Sequence, residues 1–299
     1  MSEVPERVRE LLQQRDAARA VKDYVRADAL RDQIDELGFV VQDAPGGATV
    51  DPKPAFELLD PGSIPDELGA PPTLDWSLHL LYEGFPDDLE RFLRGFERHN
   101  DTRRAEVVVL DNGSQDAQRI ETLAKPRPWV RCLHLNGELG WAAARNVGLR
   151  CSRGALVALT DLSIEPNGDI LSPLAAALAD PAVAVAGPFG LVSEDLMSWR
   201  EADGPDAAAI EGYLLATGRE KLAASGLVNE RFTWYRNADI DLSFSLRAQG
   251  GRARVVPLPV VRHAHRGWEA LDEEERARRS KRNHRVFLDR WRDRADLLA

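Results

Sequence analysis

The chain has 299 residues, of which 43% are hydrophobic and 29% charged, and a formal net charge of −10. That is enough apolar sequence for one large domain or two ordinary ones, and the negative balance argues against bulk nucleic-acid binding while leaving room for a local basic face. Two cysteines, Cys132 and Cys151, match no zinc-binding spacing, so free thiols and a cytoplasmic location are expected. The N-terminus is charged from Glu3 onward and has no signal-peptide core. The longest apolar stretch, residues 174–192, is interrupted by Asp180, Pro181, Gly187, Pro188 and Gly190, so no transmembrane segment is expected.

Residues 1–44 read as a helical hairpin. Val8, Leu11, Leu12 and Ala18 share one face of a first helix, Ala27, Leu30, Ile34 and Leu37 share one face of a second, and Gly38 stands where a C-terminal cap belongs. Residues 45–73 hold seven of the chain's 18 prolines, which predicts an extended linker. From residue 74 to 299 strands and helices alternate, with strands expected over 76–82, 106–110, 130–135, 156–160 and 183–186. The first of these is followed by a helix with Leu89, Phe92, Leu93 and Phe96 on one face. Such α/β sheets hold ligands at the carboxyl ends of their strands.

Polar residues gather at those ends. In VVVLDNGSQD, Asp111 leaves a strand into a tight turn, where it can accept a ribose or base hydrogen bond or cap the following helix. In GWAAARNVG, Arg145 sits near a helix start, a setting for a diphosphate or for a plain surface cap. ALVALTDLSIEP ends a buried strand at Asp161, with Ser163 two residues on. ERFTWYRNADIDLSFSLRAQG offers Asp239 and Asp241, the first as a base or an N-cap, the second as a structural residue. VVPLPVVRHAHRGW leads from a strand to His263 and His265; His263 follows the strand more directly and is preferred as a ligand. The C-terminal stretch 272–294 predicts a helix docked through Val286, Phe287, Leu288 and Trp291, with a basic remainder.

Taken in order, these motifs over residues 74–268 resemble family-2 glycosyltransferases of the GT-A fold. The resemblance implies a GT-A-like α/β mixed sheet, mostly parallel, flanked by helices and preceded by the helical hairpin. It also implies inverting transfer of a sugar from a nucleotide-diphosphate donor to an acceptor hydroxyl, with Asp239 as the base. Asp111, Arg145 and Asp161 would hold the nucleotide, and Asp161 with His263 a divalent metal, Mn2+ or Mg2+. The sequence departs from the family at Ser163, where a second Asp of the metal loop is usual, and at Ala238, where a Glu is usual. The first departure predicts weaker metal binding, and together they favour an alternative, a weakened nucleotide-sugar-binding or scaffold protein. Residues 11–47, LLQQRDAARAVKDYVRADALRDQIDELGFVVQDAPGG, resemble the C-terminal tail of cysteinyl-tRNA synthetases, which implies tRNA as a partner. Acidic residues outnumber basic ones there, which favours a packing or dimerisation module instead.

Overall fold

The computed structural model describes residues 4–44, 47–54 and 56–298. The chain forms two compact units, the first ending at Glu57 and the second beginning at Leu58.

In the first unit α1 (Glu6–Ala20) and α2 (Tyr24–Glu36) are followed by an antiparallel pair, β1 (Phe39–Ala44) and β2 (Gly47–Pro52). Asp23 caps α2 by accepting the Arg26 N–H, and Gly38, at φ +81°, turns the chain out of it. Val8, Leu11, Leu30, Ile34 and Val41 form the core. Arg15 is buried beside them, and its Nη2 donates to both carboxylate oxygens of Asp43 at 2.8 Å. The helical hairpin is thus closed by a strand pair, and the second strand occupies the start of the expected linker; Pro45 and Gly46 lie outside the described residues.

The second unit opens with β3 (Leu58–Leu59), inside the expected linker, which pairs as an edge strand of the main sheet. Then follow β4 (Leu74–Tyr82), α3 (Pro86–His99), β5 (Ala105–Asp111), α4 (Ala117–Ala124), β6 (Val130–Leu135), α5 (Trp141–Arg150), β7 (Gly154–Thr160), β8 (Ile164–Pro166), α6 (Leu171–Leu178) and β9 (Val183–Gly187). Short strands β10 (Gly190–Val192), β11 (Arg200–Glu201), β12 (Asp206–Ala207) and β13 (Ala209–Ile210) lead to β14 (Leu214–Gly218) and α7 (Arg219–Ser225). The chain ends with α8 (Ala238–Arg247), β15 (Arg252–Val255), β16 (Val260–Arg262), α9 (Arg266–Glu269) and α10 (Glu273–Trp291).

The main sheet has the order β12-β15-β9-β14-β7-β4-β5-β6-β3 among the described residues. β7, β4, β5, β6 and β3 run parallel, and β14 is antiparallel to both β7 and β9. The sheet is therefore mixed and mostly parallel, as expected. The antiparallel β14 is absent from the sequence-based strand set, because LLATG is short and its first four residues are buried without alternation.

Helices cover both faces. Leu89, Phe92, Leu93 and Phe96 of α3 pack on Leu78, Leu80, Val107 and Val109. On the other face α5, α8 and α10 pack on Val157, Leu159 and Leu215. Burying each such side chain contributes roughly 1.5–3 kcal/mol before conformational entropy is subtracted. α3 starts at Pro86 with Asp87 and Asp88 in its first turn and ends on Arg98 and His99, so its charges oppose the helix dipole. No helix among the described residues is long and apolar enough to cross a membrane.

Candidate active site

The carboxyl end of β7, the start of α5, the residues ahead of β14, the start of α8 and the segment after β16 surround one cleft of about 230 Å³. Its floor is the turn after β7. The Asp161 N–H donates to the Tyr213 carbonyl at 3.0 Å, and Asp161 Oδ1 accepts the Ser163 N–H at 2.8 Å and the Ser163 hydroxyl at 2.5 Å. Asp161 Oδ2 lies 3.3 Å from His265 Nε2. Burial pushes the Asp161 carboxyl up, but the His265 ring N–H and the two Ser163 donors outweigh it and hold the group at about 2. Ser163 is therefore a donor to Asp161 and not a second carboxylate.

His265 also serves as a cap. Its Nδ1 accepts the Trp268 N–H at 3.1 Å at the start of α9, which places the ring proton on Nε2, facing Asp161. Tyr235 stacks on the ring at 4.7 Å and Tyr213 meets it edge-on at 6.3 Å. His263, the histidine preferred from sequence, is elsewhere: its Nε2 pairs with Glu165 at 2.7 Å across the β8–β16 ribbon. The two residues after β16 carry the chain around, so the second histidine reaches the cleft.

The opposite wall is built by α8. Asn237 at φ +64° is the N-cap and Asp239 the second helical residue, so Asp239 is not the cap. Its Oδ2 accepts the Gly212 N–H at 2.8 Å and its Oδ1 the Ile240 N–H at 2.9 Å. A Cβ on Gly212 would stand 3.1 Å from that of Asp239, so a glycine permits the approach. Burial raises the Asp239 carboxyl despite these donors. Glu211 lies beside it in the cleft; burial and then the Asp239 charge push Glu211 up to about 7. Arg262 reaches Glu211 at 3.4 Å and lies 3.7 Å over the Tyr213 ring. Asp241 is fully buried and bound by Arg290 at 2.8 Å and Trp291 Nε1 at 2.7 Å, which anchors α8 to α10.

Arg145 reaches the cleft from α5, beneath Trp141. Its guanidinium is buried and donates to the carbonyls of His79 at 3.0 Å and Thr160 at 3.2 Å, tying the ends of β4 and β7 together. Asp111 is outside the cleft. Its Oδ1 accepts the Ser114 N–H at 2.9 Å and its Oδ2 pairs with His134 Nδ1 at 2.8 Å, while His134 Nε2 meets Glu121 at 3.1 Å. With both oxygens engaged and 1% of its surface exposed, Asp111 holds the turn and takes neither the expected nucleotide contact nor the helix cap, a position that falls to Asp116. Burial disfavours the charged His134 ring, but Asp111 and Glu121 outweigh it and raise its pKa.

Two acidic residues at the site escape sequence reasoning, Glu211 and Glu83. Glu83 follows β4 and shares a small side pocket with Asp161, Ser163 and His265. The residue is exposed as a whole, yet the surrounding protein and then the Asp161 charge push its carboxyl up. The only local signal is an acidic residue just past an apolar strand.

Residues 82–238 match the family model for glycosyl transferase family 2, and residues 1–50 that for the cysteinyl-tRNA ligase anticodon binding domain. The chain is 26% identical over 186 residues to the pre-mycofactocin glycosyltransferase of Mycobacterium tuberculosis, covering 55% of this chain and 38% of that one. It is 57% identical over 47 residues to the cysteine–tRNA ligase of Nitratidesulfovibrio vulgaris, covering 16% of this chain and 10% of the ligase. The chain thus spans from a tenth to under two fifths of these curated relatives. Among solved structures, GalNAc-T7 with UDP, GalNAc and Mn2+ superimposes with a TM-score of 0.62 at 17% identity, over 75% of this chain and 49% of that one. The mannosyltransferase PcManGT from Pyrobaculum calidifontis, in complex with GDP-Man and Mn2+, gives 0.52 at 21% identity, over 68% and 58%. These likenesses establish the GT-A-like fold. With its family model covering residues 82–238 of 299, the chain belongs to glycosyl transferase family 2.

Proposed function

We propose that the protein is an inverting glycosyltransferase that moves a sugar from a nucleotide-diphosphate donor to an acceptor hydroxyl. The observation that carries this reading is the pairing, in one cleft, of a carboxylate held low at Asp161 with a half-buried carboxyl held high at Asp239. Asp239 accepts the acceptor's proton as its oxygen forms a bond to the anomeric carbon. The bond from that carbon to the diphosphate breaks on the opposite face, and the electron pair leaves with the nucleotide diphosphate. Arg145 contributes positive charge beneath the leaving group, although its Nη atoms remain committed to backbone carbonyls.

A hard divalent cation fits the oxygen donors near Asp161. Asp161 is anionic at all working pH values, Glu83 adds a carboxyl in the side pocket, and the two similar solved structures contain Mn2+. Asp161 and Glu83 would hold Mn2+ or Mg2+, which would neutralise charge on the diphosphate. His265 suits this less well, since its Nε2 carries a proton toward Asp161 while Nδ1 caps α9. The free thiols Cys132 and Cys151 agree with a cytoplasmic setting.

The test is release of free nucleotide from a panel of nucleotide sugars, with and without manganese. Turnover by the parent that Asp239→Asn lowers by about a hundredfold or more supports the reading. Tight donor binding with no turnover, equal in both proteins, assigns the chain to the weakened nucleotide-sugar-binding or scaffold alternative that Ser163 and Ala238 favour.

The match of residues 1–50 to an anticodon binding domain favours a second reading, in which residues 11–47 contact tRNA. Deleting residues 1–57 then abolishes tRNA retention in a gel-shift assay; equal retention, or none by the parent, removes it.

A further inference from the structure

After its acidic first turn α10 carries seven cations against one carboxylate, Asp289. Arg290 is bound to Asp241, and Val286, Phe287 and Trp291 are buried. The outward face is left to Arg278, Lys281, Arg282 and Arg285, all exposed, joined by Arg231 from the loop ahead of α8. These five line one shallow depression. Arg278 pairs with Glu275 and Arg231 with Asp289, whereas Arg282 donates to the neutral Thr233 hydroxyl at 2.8 Å. Lys281 and Arg285, four residues apart, have no carboxylate partner among the described residues. Like charges at that spacing repel across one helical turn, and a bound anion relieves the repulsion.

This face is joined to the cleft by one loop. Asn283 of α10 donates to the carbonyls of Trp234 at 2.7 Å and Arg236 at 2.8 Å. The same loop accepts the Ala142 N–H at the Phe232 carbonyl, 3.2 Å away at the start of α5. Its far end, Tyr235, Arg236 and Asn237, lines the cleft directly ahead of Asp239. Between patch and cleft, Trp234 and Trp268 stack at 5.7 Å, with Arg279 over the first and Arg236 over the second. Positive charge therefore continues from Arg285 to Arg236, at the mouth on the Asp239 side.

We infer that the acceptor is a flexible anionic polymer with phosphodiester charges, which lies along α10 and enters the cleft past Arg236. This rests on the glycosyl-transfer reading and adds the class of acceptor to it. Guanidinium forks and a lysine point charge together suit phosphate oxygens. A membrane surface fits less well, because the apolar side of α10 is turned inward and leaves nothing to insert.

The test compares the full chain with Lys281→Glu/Arg285→Glu, and with the milder Lys281→Gln/Arg285→Gln should charge reversal unfold the protein. Binding of medium-chain inorganic polyphosphate is titrated at several salt concentrations, and donor hydrolysis without acceptor is measured alongside. The parent is expected to bind with an affinity that falls as salt rises. The variant is expected to bind about tenfold more weakly or worse, with a salt slope flatter by roughly one unit per lost contact, and with unchanged donor hydrolysis. No binding by the parent near physiological salt, or equal binding by a folded variant, overturns the docking. So does a preference for anionic vesicles at equal phosphate concentration. Polyphosphate binding without donor hydrolysis in either protein overturns instead the transferase reading on which the inference rests.

Discussion

Asp161 and Asp239 line the same cleft, yet their surroundings drive them apart. Asp161 is met by a serine hydroxyl, a backbone N–H and a histidine N–H, which stabilise the anion more than burial opposes it. Asp239 is met by two backbone N–H groups and the Arg236 charge, which favour the anion, and there burial still wins. One carboxylate is thereby suited to a fixed negative charge near a cation or diphosphate, the other to taking up a proton. Environment and not residue type divides the roles.

The largest effect expected from breaking this contrast is at Asp239. Asp239→Asn should remove transfer while leaving folding intact. A carboxyl whose folded pKa is raised contributes stability below its unfolded value and loses it as pH rises through the folded value. The neutral amide escapes that loss, so a melting temperature at pH 8 equal to or above the parent's is expected. A marked fall would make Asp239 a structural cap.

Asp161→Asn tests the other side with the opposite sign. A folded pKa of about 2 means stability that is present above the ordinary carboxylate value and lost as pH falls toward 2. The variant should lose roughly 2 kcal/mol near neutral pH, read by denaturant unfolding, and the gap should close in acid. Donor affinity and any manganese stimulation should fall with it.

Glu211→Gln sharpens the pairing. The Asp239 charge helps push Glu211 up to about 7, so Glu211 is still protonated when Asp239 ionises, and Glu211→Gln should leave the ascending limb of the kcat/KM profile in place while removing any second ionisation near 7. A limb that moves to lower pH would show that Glu211 carries its charge first.

The smallest effect is expected at His263. His263→Ala breaks a pair whose partners are each about one third exposed, 34% and 35%, worth at most about 1 kcal/mol. His265→Ala should lower donor binding far more. Comparable effects in both variants would return His263 to the site.

Much of this was legible in the chain. The α/β class, the strands ending at Asp111 and Asp161 and the helix bearing Asp239 follow from local patterns: apolar runs, polar residues at their ends and helical spacing. Asp111 and His134 show where such patterns stop. They are register partners on neighbouring strands, so a side chain thirteen positions from Glu121 closes off the carboxylate expected to meet ligand. Glu83 and Glu211 are likewise ordinary acids in sequence that only the folded chain brings beside Asp161 and Asp239.

The sequence by itself determined the class of fold, the order of the motifs and the loss of a second carboxylate at Ser163, because each is written in neighbouring residues. Tertiary structure decided that His265 and not His263 faces Asp161, that Asp111 is an internal anchor, and that the cations of α10 lead to the cleft. Those outcomes depend on strand register, on a turn after β16 and on how α10 grips the loop ahead of α8, which join residues far apart along the chain.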